Sequence, residues 1–209
     1  MPYVIEHSLL FSAYDAVLTK AFVECAEDQD HLRAAIQPDS NSCLFLLLML
    51  EVVAFIPNGA ILPRQSGASD KPLSQSKAIP FRSPPTLTRT YTLPNRGAIT
   101  GMAIPAGITT VVGGGFHGKS TLLQAISLGV WNHIPGDGRE FVVTNPTAIG
   151  VRSEDGRSIA GVNISPFIGD LPGGTKTNKW SFEDASGSTS MAAGVVEVWC
   201  PMTYLTLGM

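Results

Sequence analysis

Residues 113–121 read GGGFHGKST, and this stretch constrains the fold more than any other in the chain. Ordering a glycine costs more backbone entropy than ordering any other residue. Three in a row ahead of a lysine therefore imply a use for bare main chain. The spacing Gly113-(x)4-Gly118-Lys119-Ser120 matches the phosphate-binding pattern G-x-x-x-x-G-K-[ST]. The β-branched run ITTVV (108–112) predicts a strand before it. STLLQAISLGV (120–130) predicts a helix after it, with apolar residues at Leu122, Leu123, Ile126 and Val130. A strand, a glycine loop and a helix in that order predict an α/β fold. Consecutive backbone N–H groups would point inward at an anion, and the helix N-terminus would add unpaired donors and partial positive charge.

On this reading the nucleotide-binding candidates are Gly113, Gly114, Gly115, Gly118, Lys119, Ser120 and Thr121. Lys119 is expected at the β- and γ-phosphates, Ser120 at Mg²⁺ and Thr121 at the α-phosphate. Phe116 and His117 hold variable loop positions, and solvent or a neighbouring loop is the expected surrounding of His117.

Elsewhere, residues 1–37 carry helical apolar spacing (Leu9, Leu10, Ala13, Val17, Leu18, Phe22), and AEDQDHLRAAI reads as its continuation or as a second helix. The run CLFLLLMLEVVAFI (43–56) is interrupted by Glu51 and is shorter than the roughly twenty apolar residues of a membrane span. It reads as buried, with VVAFI a strand. Asn58-Gly59 is a hairpin signal. Residues 63–85 are rich in Pro, Ser and Gly and read as a linker or long surface loop. TLTRTYTL (86–93) and AITGMAI (98–104) read as paired strands. REFVVTN, TAIGVR and RSIAGVNI read as three more, and SFEDASGSTSMAAGVVEVW as a cap followed by a helix.

Composition narrows the function classes. A net charge of −3 over 209 residues gives no bulk signal for nucleic acid. Cys25, Cys43 and Cys200 are odd in number and far apart, which supports neither a zinc site nor a disulfide framework. The expected setting is intracellular and cytoplasmic, with no membrane. After the loop the only arginines are Arg139, Arg152 and Arg157, scattered in turns and strands, which argues against a kinase lid.

From about residue 51 to 198 the chain resembles the family called predicted ATPase of the ABC class. The stretches that carry this are VAFIPNGAILPRQSG, LPNRGAITGMAIPAGITTVVGGGFHGKSTLLQAI, GVWNHIPGDGREFVVTNPTAIGVRSEDGRSIAGVNISPFI and ASGSTSMAA. The resemblance implies a P-loop NTPase of ABC type, ATP and Mg²⁺ as ligands, head-to-tail pairing of two nucleotide domains, and association with RNA in some members. It also makes Ser186, Gly187, Ser188, Thr189 and Ser190 the counterpart of the ABC signature loop, which meets the γ-phosphate held by the other subunit. Tyr91 lies where such domains place an aromatic against adenine, although its alternating strand equally predicts a core or cross-strand role.

The domain organisation expected is an N-terminal segment (1–62), a linker or long loop (63–85), an incomplete ATPase domain (86–198) and an unassigned tail (199–209). The LLLML run and the tail depart from the family pattern. They read as insertions or read-through in a truncated copy. The acidic strand that holds Mg²⁺ through water and polarises the attacking water is missing, since the only acidic residue after Ser190 is Glu197, in a helical stretch. The expectation is ATP binding with poor or absent hydrolysis and no assignable catalytic residue. The competing reading is an RNA-associated or scaffold module with a regulatory or relic nucleotide site.

Overall fold

The computed structural model describes residues 3–36, 52–169, 176–199 and 206–208, with side chains for 17–36, 52–169 and 176–198. The chain divides into two compact units, Met1–Pro146 and Thr147–Met209. The LLLML run and most of DLPGGTKTN lie outside the described residues.

In the first unit a single helix, α1 (Tyr3–Ile36), covers both helical stretches expected from the sequence. Cys25, Asp28, Gln29, Leu32, Arg33 and Ile36 recur at helical spacing, and all six are buried or half-buried. The sheet beneath has the order β4-β5-β1-β6. Its strands are β1 (Val52–Pro57), β4 (Thr88–Leu93), β5 (Gly97–Pro105) and β6 (Val143–Thr144), all paired antiparallel.

Every residue of β1 is buried, as its unbroken apolar sequence demands of a central strand. Its register against β5 slips between Val52 and Ala54. This bulge puts Val52 on the same face as Phe55. Both join Leu32, Ile36, Leu93, Ala103, Phe141 and Val143 in one core, with Cys25, Tyr91 and Ile99 packed at its margin.

Half of the inward face of α1 is polar, and each polar group has a partner. Asp28, 3% exposed, accepts from the Asn95 and Arg96 amides at 2.9 and 3.0 Å and so ties α1 to the β4–β5 turn. Gln29 donates to the His133 carbonyl at 2.8 Å and accepts from the His133 amide at 2.7 Å.

Three local expectations change. Asn58-Gly59 forms a turn with Gly59 at φ +87, but no hairpin follows. The Gly59 amide donates instead to Phe81 O at 2.8 Å, because β1 already has β5 and β6 as neighbours. The stretch 63–85 contains a small hairpin of β2 (Arg64–Ser66) and β3 (Ser69–Pro72). ITTVV (108–112) is not a strand: it is irregular and exposed, with Ile108 wholly and Val112 83% in solvent. A β-branched run becomes a strand only where a neighbour accepts and donates its ladder bonds, and no described strand runs beside it. Helix α2 (Lys119–Leu128) forms as its apolar spacing predicts.

The second unit holds β7 (Ile149–Val151), β8 (Arg157–Val162), β9 (Trp180–Ala185), α3 (Gly187–Trp199) and β10 (Thr206–Gly208). β8 pairs antiparallel with β9, and β7 pairs parallel with β10. SFEDA, expected to belong to a helix cap, is therefore strand. The core here is Ile159, Ile164, Trp180, Ala185, Ala192 and Ala193.

Candidate functional site

Helix α2 is anchored at its C-terminal end. Arg33 of α1 donates to the Gly129 carbonyl at 3.2 Å and the Thr144 carbonyl at 2.9 Å. The buried Thr144 hydroxyl donates to Ile126 O at 2.7 Å. Gly129 leaves room for this, since a Cβ there would lie 2.7 Å from Thr144 Oγ1. The opposite end of α2 is open. Its N-cap, Gly118, is left-handed at φ +79 and supplies no side-chain cap. The first cap bond runs from Leu122 N–H to Gly118 O, so the amides of Lys119, Ser120 and Thr121 precede the helical ladder.

The loop ahead of this end is exposed from Gly113 to Gly118. Phe116 is left-handed at φ +61, the one non-glycine residue of positive φ among the described residues, and its side chain is fully exposed. An aromatic residue in that region is strained, and such strain clusters at functional loops. The Lys119 ammonium folds back over the loop, donating to Gly113 O at 2.7 Å and Gly114 O at 2.6 Å. The Gly114 amide donates to Nδ1 of His117 at 3.2 Å. Gly113, Gly114, Gly115, Gly118, Lys119, Ser120 and Thr121 are thus brought together. The donor set suits a polyanion: an uncapped helix start, a primary amine and two hydroxyls. Ser120 and Thr121 fit a Mg-nucleotide in their chemistry, as exposed or half-buried hydroxyls on the first turn.

The second candidate loop belongs to the other unit. Ser186 precedes α3, with its Oγ 3.0 Å from Thr189 Oγ1 and 3.3 Å from Ser188 Oγ. These hydroxyls are exposed or half-buried. Ser190 is not: it is 1% exposed, accepts from the Glu154 amide at 2.8 Å and donates to Gly187 O at 3.0 Å. It pins the 153–155 turn to α3. A Cβ on Gly187 would lie 3.0 Å from Asp155 Oδ1, so a carboxylate already stands beside this helix start. Glu197, the acidic residue after the loop, is ion-paired with Arg157.

Tyr91 is half-buried at the margin of the core, its ring edge-on to Phe55 at a centroid distance of 5.2 Å. Burial pushes its phenol pKa up.

Sequence reasoning assigned no role to NHIPGDGRE, where the structure places a polar cluster. Arg139 is fully buried and donates from Nε to Leu62 O at 2.9 Å, with Nη2 on the same oxygen. Burial, and then the Arg64 charge, lower its pKa to about 10. Asp137 Oδ2 meets Arg64 Nη2 at 2.8 Å and His133 Nδ1 at 2.9 Å. Burial lowers the His133 pKa more than Asp137 raises it. The signal for this cluster was faint: charged residues in a glycine turn, beside a polar helix face at 28, 29 and 33.

A mixed α/β domain with a glycine loop leading into an uncapped helix, closed over by its own lysine, is a P-loop domain. The family model ABC_ATPase, a P-loop domain, matches residues 16–205. The chain belongs to this ABC-type P-loop ATPase family, whose members bind nucleotide. It is also similar to an uncharacterized protein of Methanocaldococcus jannaschii, with 41% identity over 86 residues. That match covers 41% of this chain and 19% of the relative, so the chain spans about a fifth of that protein's length. No described helix is long and apolar enough to cross a membrane.

Proposed function

We propose that the chain binds Mg-ATP through residues 113–121, in the manner of a Walker A loop. The observation that carries this is Lys119 folded over the Gly113 and Gly114 carbonyls at an uncapped helix N-terminus. The amides of the loop and of the first turn of α2 would hold phosphate oxygens. The Lys119 ammonium would neutralise their charge, and Ser120 would supply a ligand to Mg²⁺. The metal, when bound, supplies charge neutralisation at the phosphates.

Poor or absent turnover by these residues belongs to the same proposal. In-line attack needs an oriented water and a complete metal shell, and the carboxylate of Glu197 is committed to Arg157. In a head-to-tail pair, Ser186, Ser188 and Thr189 would offer hydroxyls to the nucleotide held by the other copy, with Ser190 supporting that turn from within. The decisive experiment is titration of the purified chain with ATP and GTP, with and without Mg²⁺. Lys119→Ala should weaken Mg-ATP binding at least about tenfold, the loss of a charge-assisted contact. Equal affinity in the variant refutes the assignment, as does phosphate release that depends on Lys119 for the absence of turnover. RNA retained equally by wild type and Lys119→Ala would mark a separate nucleic-acid activity.

A further inference from the structure

We propose that His117 is a positioning residue of the phosphate loop: by accepting the Gly114 amide it braces the curvature over which Lys119 sits. The inference rests on the nucleotide reading above. The loop is exposed along its length and includes Gly113, Gly114, Gly115 and Gly118, so neither apolar burial nor intrinsic stiffness holds its shape. Two side chains do so instead, and both grip the same short stretch. Lys119 takes the carbonyls of Gly113 and Gly114, and His117 takes the amide of Gly114. The imidazole lies against bare backbone: a Cβ on Gly114 would be 3.1 Å from His117 Cε1, and one on Gly113 3.6 Å from its Nδ1. The missing side chain of Gly114 therefore gives the ring room, whereas a Cβ on Gly113 would make only ordinary contact with it.

The brace spans Phe116 at φ +61 and ends beside Gly118 at φ +79, where the backbone by itself would relax. With Nδ1 accepting, the ring hydrogen sits on Nε2. Once the loop is held in this form, less ordering remains to be done when phosphates arrive.

This geometry predicts a side-chain code. The Oδ1 of asparagine stands at the same remove from Cα as Nδ1 of histidine and can accept the same amide. The Oε1 of glutamine stands one bond further out and cannot. Titrations of Mg-ADP and Mg-ATP would compare wild type, His117→Ala, His117→Asn and His117→Gln, with thermal unfolding alongside. His117→Ala should raise both dissociation constants about fivefold, the net size of one hydrogen bond. His117→Asn should recover to within about twofold, and His117→Gln should behave as alanine does. Unfolding temperatures should agree among all four, because the loop is exposed. Wild-type affinity in His117→Ala, or no recovery in His117→Asn, overturns the brace while nucleotide binding stands. Absence of binding by wild type overturns both.

Discussion

Gly101 of β5 faces Pro57 of β1, and replacing it with alanine should injure the first unit severely. A Cβ at that position would lie 2.2 Å from Ile56 O, 2.7 Å from Pro57 Cα and 2.7 Å from Phe55 Cζ. Two of those atoms are backbone, so no rotamer change relieves the clash. The strands would have to part by about 1 Å to restore van der Waals separation. That displacement stretches the 2.9 Å bond from Asn58 N–H to Thr100 O and pushes the fully buried Phe55 against its core. Overpacking costs about 1–3 kcal/mol, and a weakened buried backbone hydrogen bond adds about 1 kcal/mol. A loss of about 3 kcal/mol lowers Tm by about 6–12 °C in a chain of this size. The control is Gly67→Ala, where an added Cβ meets nothing within 4 Å. Thermal unfolding followed by circular dichroism reads both. If Gly101→Ala melts within about 2 °C of Gly67→Ala, the close approach of β1 and β5 is refuted.

Three further outcomes follow from the geometry. Tyr91→Leu should destabilise the first unit by about 1–2 kcal/mol through the lost edge-on contact with Phe55 and leave the Mg-ATP dissociation constant unchanged. A fall in affinity without loss of stability would return Tyr91 to the adenine. Ser190→Ala should cost about 1–2 kcal/mol in denaturant unfolding, since it strands the Glu154 amide; a neutral result would show that water replaces the hydroxyl. His133 has a folded-state pKa below its ordinary 6.5, so the unfolded chain binds the proton more readily. Its contribution is fully present above about pH 6.5 and is lost as pH falls through the lower folded value. The unfolding midpoint should therefore drop between pH 7 and acid, and His133→Asn should flatten that drop; an equal slope in both proteins would refute it.

The glycine loop and the helix start after it were legible because their signals are local. Glycine spacing, Lys119 and the apolar periodicity of 120–130 lie within one short window, and propensity alone could place the start of α2. The β4–β5 hairpin was legible for the same reason, with alternation on both sides of the turn at Pro94–Arg96. The N-terminal helix was visible, but its polar inward face was not. Asp28, Gln29 and Arg33 look like solvent residues until their partners arrive from Asn95, His133 and Thr144, more than sixty residues away.

What the sequence by itself determined is the glycine loop leading into α2 and the β4–β5 hairpin, since these follow from contacts between neighbours along the chain. Only the tertiary structure decided that ITTVV forms no strand, that Tyr91 packs at the margin of the core, that Ser190 braces a turn and that Arg139 is buried on Leu62 O. Each of those outcomes depends on which distant backbone supplies or withholds a hydrogen-bonding partner, and no local window records that.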